Sequence, residues 1–323
     1  MGKSEFDRIN EYFAPLTVGF PGAFELTDDA ATIDFVAGRS LVVTTDTIVE
    51  GIHYLGNEAP GSIARKLLRV SLSDLAAMGA KARAYTLNIA LGNSVTDAWV
   101  ADFCGGLRRD QLEFGIHLVG GDSVSTNGPV VLTATLFGDV DQGKALRRSG
   151  ACPGDVIFVS GTLGDGALGL LAAQGELAGI REDDLLFLRN RYCLPQPRIS
   201  LGTSLVSRAT AVADISDGLL ADLGHISTAS TVGAEVDLDA LPLSFEAKRV
   251  FDARPDLALL AAVGGDDYEL VFTTSESEAE KIITRDLEVP VVRIGSIVEG
   301  KGVRVFDSTG SEVCFERTGF RHI

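Results

Sequence analysis

The sequence predicts a two-domain protein of mixed α+β or α/β layering. Three observations lead there. The chain has 323 residues, enough for two cores. Short apolar runs alternate with helical periodicity from end to end. A turn-rich joint, Arg147-Arg-Ser-Gly-Ala-Cys-Pro-Gly-Asp155, interrupts that alternation near the middle. It divides the chain into expected domains 1–149 and 150–323.

Each element has its own signal. Residues 3–14 place Phe6, Ile9, Tyr12 and Phe13 on one helical face. A strand follows over 40–48. Ser62, after Pro60-Gly61, reads as the N-cap of a helix that runs to Met78 and stops at Gly79. Residues 84–91 form a strand. Thr96 caps a helix over 97–114 that Gly115 ends, and strands follow over 116–119 and 129–138. Beyond the joint, Val156-Ile-Phe-Val-Ser160 begins a strand, and a Gly-rich loop leads into a helix over 166–174. Further helices are expected near 182–191, 197–208, 217–231 and 244–253. Strands are expected near 211–215, 234–237, 268–273, 291–298 and 302–306.

Composition narrows the function. Hydrophobic residues make up 46% of the chain, which supports packed cores. The net charge of −17 gives no general attraction to nucleic acid or to anionic membranes, so neither is an expected partner. Phosphate binding would instead need cations, a few placed Arg, or backbone N–H groups. Cys104, Cys152, Cys193 and Cys314 are scattered, as are His53, His117, His225 and His322, so no thiolate or imidazole metal site is expected. The first residues have no apolar signal core and no apolar run reaches membrane-spanning length. A cytoplasmic protein is the expectation.

Carboxylates recur where the backbone is expected to turn. They are Asp28-Asp29, Asp46, Asp74, Gly120-Gly-Asp122, Asp214-Ile-Ser-Asp217-Gly218 and Gly264-Gly-Asp266-Asp267. Singly, each reads as a turn or cap residue, and Asp217 as the cap of the helix after it. Together they suggest a site, with Asp46 and Asp122 at strand ends. Asp74 shares a helix face with Ser71. If such groups converge, two charges about 4 Å apart repel by about 4 kcal/mol at an effective dielectric of 20. Several such pairs would exceed the roughly 5–15 kcal/mol margin of a folded domain. Bound cations are then required, and oxygen-only donors select Mg²⁺ or Ca²⁺. With no EF-hand loop, Mg²⁺ carrying phosphate ligands fits better. A P-loop and the protein-kinase motifs are absent. Gly161-Thr-Leu-Gly-Asp-Gly166 reads equally as a plain turn, and Arg147-Arg148 as a phosphate clamp or as solvated surface.

These segments together resemble the thiamine-monophosphate kinase family, within the aminoimidazole ribonucleotide synthetase-like ATP enzymes. The matching stretches are Asp28-Asp-Ala-Ala31, Thr44-Thr-Asp-Thr47 through Gly51-Ile-His53, Val70-Ser-Leu-Ser-Asp-Leu-Ala-Ala-Met-Gly-Ala80, Gly120-Gly-Asp122, Arg148-Ser-Gly150, Asp214-Ile-Ser-Asp-Gly-Leu219 and Gly264-Gly-Asp-Asp-Tyr-Glu-Leu270. The resemblance implies phosphoryl transfer from ATP to thiamine monophosphate. It implies an N-terminal domain pairing with its twin in a barrel-like dimer core, and a C-terminal α/β domain closing over the nucleotide. It implies several Mg²⁺ ions on Asp29, Thr44, Thr45, Asp46, Asp74, Asp122, Asp214 and Asp217. ATP would meet Gly121, Asp122, Arg148 and Ser216, and thiamine phosphate would meet His53, Asp266 and Phe320. Asp46, Asp74, Asp122 and Arg148 would carry catalysis. Thr27 and Ser71 depart from the family pattern, which has Gly and Asn there.

The attacking phosphate oxygen is already ionised at neutral pH, so no general base is needed. The task is to bring two polyanions together. Rival readings are another ATP enzyme of the superfamily or a non-catalytic divalent-cation-binding dimer. Selenophosphate synthetase needs an early reactive Cys, whereas here the first is Cys104. The hydrogenase-maturation type needs a C-terminal Cys, whereas here the chain ends Phe320-Arg-His-Ile323.

Overall fold

Residues 5–34, 36–284, 287–315 and 317–320 are described by a computed structural model. They form two units, 1–75 with 80–143 and 76–79 with 144–323. Lys3 and Ser4, where the first helix was expected to begin, and His322 lie outside the described residues.

The first unit runs α1 (Glu5–Arg8), β1 (Arg39–Val49), α2 (Pro60–Ala77), β2 (Lys81–Gly92), α3 (Asp97–Phe114), β3 (His117–Thr126) and β4 (Val131–Asp141). Its sheet has the order β1-β4-β2-β3, open, with β1 and β3 at the edges. The strands show period-2 burial. On β1, Val42 and Ile48 are buried and Thr44 and Asp46 half-buried, while Leu41, Val43, Thr45 and Thr47 are exposed. The inner side meets α2, whose Leu67, Leu68, Leu72 and Leu75 are fully buried. The outer side carries threonine pairs, Thr45–Thr135 at 3.0 Å and Thr47–Thr133 at 2.8 Å.

Helix α3 forms as its signals predict. Thr96 accepts the Trp99 N–H, and Gly115 ends the helix in the left-handed conformation. It docks on α2 where Gly106 leaves no room for a Cβ, which would lie 2.2 Å from the Gly61 carbonyl oxygen. A buried ion cluster completes the contact. Fully buried Asp110 accepts from Arg65 Nε at 2.6 Å and Arg69 Nε at 2.8 Å, and the Arg69 guanidinium lies 5.0 Å from the Phe114 ring centre.

Four expectations need correction. The first helix does not run evenly to residue 14: α1 gives way to a π turn over Ile9–Phe13 and a 3₁₀ turn over Ala14–Thr17, where Pro15 removes a donor. Ser62 is not the cap of α2, because the helix begins at Pro60, whose fixed φ suits a first helical position. The Gly61 N–H is instead taken by Asp102 Oδ2 at 2.8 Å. Strand β3 does not stop at Val119. It continues through Gly120, Gly121 and Asp122 because Gly121 passes so close to β2 that a Cβ would lie 1.9 Å from the Leu87 carbonyl oxygen. Asp46 and Asp122 therefore lie within strands rather than at strand ends.

The second unit runs β5 (Val156–Ser160), α4 (Asp165–Gln174), α5 (Glu182–Cys193), α6 (Ile199–Leu205), β6 (Ala211–Asp214), α7 (Leu219–Ser230), β7 (Gly233–Asp237), α8 (Phe245–Ala253), α9 (Leu260–Val263), β8 (Leu270–Thr274), α10 (Glu276–Ile283), β9 (Val291–Val298) and β10 (Gly302–Phe306). Its sheet order is β10-β7-β9-β5-β8-β6. Alternate residues of β5 enter two apolar cores. Ile157 and Val159 pack with α4, α5, α7 and α8, while Val156 and Phe158 pack with α6 and α10. Helices thus cover both sheet faces, and the expected mixed α/β two-domain class holds. No helix among the described residues is long and apolar enough to cross a membrane.

Asp110→Ala would leave two guanidinium groups without their buried partner. The expected loss is about 3–5 kcal/mol of unfolding free energy, read by urea denaturation.

Candidate active site

In the first unit the alternation of β1 aims Thr44 and Asp46 at α2. The Thr44 hydroxyl donates to Asp74 Oδ2. Asp46 Oδ2 is buried and receives no hydrogen bond. Burial, then the charge of Asp74, push the Asp46 carboxyl up to about 6, with the Ser71 hydroxyl opposing them. This pair crowds two carboxylates into a spot with oxygen donors and no imidazole or thiolate, which fits a hard divalent cation. Thr45 does not join it, since its hydroxyl lies against Thr135 on the outer sheet face.

Asp28, Asp29, Gly121 and Asp122 line a separate cleft of about 190 Å³ with Gly120 and Ser123. Asp122 Oδ1 accepts the Ser123 N–H at 2.8 Å. This cleft involves β3, and the Asp46–Asp74 pair involves β1, at the opposite sheet edge. Three strand spacings, on the order of 14 Å, separate the two edges. Among the described residues, no three His, Cys, Asp or Glu side chains gather as a metal group. The two departures from the family pattern fit locally. Thr27 has φ −100°, which needs no glycine, and its hydroxyl bonds the Phe24 carbonyl at 2.7 Å. Ser71 is fully buried beside Asp46. His53 Nδ1 accepts the Val49 N–H at 3.1 Å, which leaves the neutral ring its proton on Nε2.

In the second unit two turns, 215–218 and 264–268, interlock with residues 319–320. The Asp266 N–H donates to the Ser216 carbonyl at 2.9 Å and the Tyr268 N–H to Ile215 at 2.8 Å. The Phe320 N–H donates to the Asp217 carbonyl at 2.9 Å. Ser216, Asp217, Asp266 and Phe320 thus share one backbone framework, with Asp214 buried at the end of β6. Gly218 is required there, since a Cβ would lie 2.7 Å from the Val263 oxygen and its φ is +124°. Asp217 does not cap α7. Asp222 Oδ2 instead collects the N–H groups of Ser216, Asp217 and Gly218 at 3.1, 3.1 and 3.2 Å. Burial and the charge of Asp217 push Asp222 up to about 7, while Arg148 pulls it down. The charge of exposed Arg148 thus acts on the carboxylate that holds this turn.

The Gly161–Gly166 loop is not an open phosphate cradle. Its Gly164 and Gly166 N–H groups donate to buried Asp267 at 2.7 and 2.9 Å. Burial nonetheless pushes Asp267 up to about 8. Fully buried Glu269 accepts from Ser160 at 2.6 Å and from Arg191 at 3.0 Å, and it pairs with Arg198. Asp222, Asp267 and Glu269 had no assigned role in the sequence reading. Acidic residues in a helix's first turn, such as Asp222, are common, and Asp267 and Glu269 lie just ahead of a strand with no local signal, so only the contacts reveal these three.

The fold and both sites define an AIR synthase related protein. The family model for its N-terminal domain matches residues 27–140, and the model for its C-terminal domain matches 152–308. A thiamine-monophosphate kinase of Caulobacter vibrioides is 43% identical over 99% of this chain and 91% of its own length. A crystal structure of thiamine-monophosphate kinase from Stenotrophomonas maltophilia K279a is 43% identical, with TM-score 0.80, over 87% of this chain and 89% of that one. AaThiL complexed with AMPPCP and TMP is 31% identical, with TM-score 0.80, over 92% and 91%. The chain belongs to the thiamine-monophosphate kinase family.

Asp46→Asn removes the buried charge but keeps the shape. The metal-free variant is expected to melt no lower than the parent, and added Mg²⁺ is expected to raise the Tm of the parent but not of the variant, measured by scanning calorimetry.

Proposed function

We propose that this chain transfers the γ-phosphoryl group of ATP to thiamine monophosphate, giving thiamine diphosphate and ADP. One observation carries the reading: near-full-length likeness to AaThiL, whose structure holds AMPPCP and TMP. The acceptor attacks through a phosphate oxygen that is ionised at neutral pH, so the chain needs to align and screen charge rather than remove a proton. Asp46, Asp74 and the Thr44 hydroxyl would hold Mg²⁺, as would Asp29 and Asp122 in the β3 cleft and Asp214 and Asp217 in the second unit. When bound, Mg²⁺ supplies neutralising charge between the two polyanions. We assign Gly121, Asp122, Arg148 and Ser216 to ATP. The charge of Arg148 acts on Asp222, whose carboxylate holds the Ser216 N–H, and this supports that assignment.

Asp266 and Phe320 suit the acceptor, because a carboxylate and an exposed aromatic face both attract a cationic thiazolium. We assign His53 to the acceptor phosphate: with Nδ1 accepting the Val49 N–H, the neutral ring carries its proton on Nε2, which is a donor. We also propose a cytoplasmic homodimer with a barrel-like core. Two copies of the open sheet closing edge to edge would cover exposed Leu41 and Val43 and remove both unpaired strand edges of each copy.

Incubation with ATP, Mg²⁺ and thiamine monophosphate, followed by chromatography, is expected to yield thiamine diphosphate and ADP in equal amounts. Retained Mg²⁺ binding with no product would favour a non-catalytic cation binder instead. Asp74→Asn is expected to lower kcat by about 100-fold or more with the fold intact by circular dichroism. Asp266→Ala is expected to raise the KM for thiamine monophosphate about tenfold and to leave the KM for ATP near its original value.

A further inference from the structure

Asp266 sits in a turn whose shape needs outside support. Its φ is +68° and that of Tyr268 is +50°, both in the left-handed region that non-glycine residues seldom occupy. On one side the backbone bonds to Ile215 and Ser216 hold the turn. On the other side the support is a side chain, that of Asp267, which is 2% exposed. Its Oδ2 accepts the Gly164 N–H and its Oδ1 the Gly166 N–H, so both carboxylate oxygens are engaged with the start of α4.

We propose that Asp267 is a positioning residue for the acceptor site, fastening the Gly264–Tyr268 turn to the start of α4 and so setting where Asp266 stands. This inference rests on the kinase function proposed above. The two segments are in direct contact, since a Cβ on Gly166 would lie 2.3 Å from the Asp266 carbonyl oxygen. A shift of one displaces the other. The neighbouring groups leave this task to Asp267. Asp165 is engaged by Thr162 and Ser244, each at 2.6 Å. Arg191 reaches Asp165 at 3.6 Å and Glu269 at 3.0 Å. An amide in place of the carboxylate can accept only one of the two N–H groups and turns a donor toward the other. The turn would loosen on the side that carries Asp266, while the Ser216 N–H stays bonded to Asp222.

The test is steady-state kinetics of the full chain with ATP, Mg²⁺ and thiamine monophosphate, comparing D267N and D267S with the parent, D266A and the double variant D266A/D267N. KM does not depend on how much of a preparation is folded, so partial loss of folding does not disguise the result. D267N and D267S are expected to raise the KM for thiamine monophosphate about tenfold, with the KM for ATP changed less than about twofold. If Asp267 acts through Asp266, the double variant should have the same KM as D266A alone. An unchanged KM for thiamine monophosphate, an equal rise in both KM values, or multiplying effects in the double variant would each overturn the inference. A parent chain that forms no thiamine diphosphate would overturn the kinase function itself, and an active parent separates the two failures.

Discussion

Asp46 Oδ2 is enclosed by protein and receives no donor, with the charge of Asp74 acting on the same carboxyl. Burying such a group normally costs more than a folded domain can spare, unless another charge offsets it. The arrangement of the first unit follows from keeping that pair in place. Alternation on β1 turns Asp46 inward, the leucines of α2 seat the helix that carries Asp74, and the Asp110–Arg69 pair locks α2 to α3. Each element contributes to stability on its own terms, yet together they hold two carboxylates closer than their charges favour.

The second unit treats its buried carboxylates in the opposite way. Asp222 and Asp267 are surrounded by backbone N–H groups, three for the first and two for the second. Those amides sit at strand-to-helix turns, where anions often bind from solution. Here internal side chains occupy them. The turns are thereby rigid before any ligand arrives, and what they present are the side chains of Ser216, Asp217 and Asp266. Preorganisation of this kind suits a reaction whose difficulty is alignment of charged groups rather than bond-making by the protein.

Much of this was legible in the sequence, because period and punctuation are local. Thr96, Gly115 and the apolar spacing between them were enough to define α3 within a residue. The strands of the second unit stood out as Val- and Ile-rich runs between glycines. The start of α2 was misplaced because Pro60 and Ser62 are both good starting residues, and only the Gly61–Asp102 contact decides between them. The length of β3 was underestimated because Gly120-Gly121 reads as a break. It is instead an adaptation to a neighbouring carbonyl that lies some 35 residues away in sequence and is invisible locally. The acidic residues were identifiable by kind, but their grouping was not. Strand order, which sets Asp46 and Asp122 at opposite edges of the sheet, is not written in any one segment.

The pleat of β1 has a further consequence. Asp46 stands between two threonines whose hydroxyls pair across the outer face, Thr45 with Thr135 and Thr47 with Thr133. The residues of this strand are therefore sorted by parity. Substituting one of them alters a single contact, whereas inserting or deleting one ahead of position 44 would invert the whole strand. The carboxylate would then face outward, and Thr45 and Thr47 would turn inward in place of Thr44 and Asp46. Across descendants of this gene, drift in residue identity along β1 should be far more frequent than any change in its length.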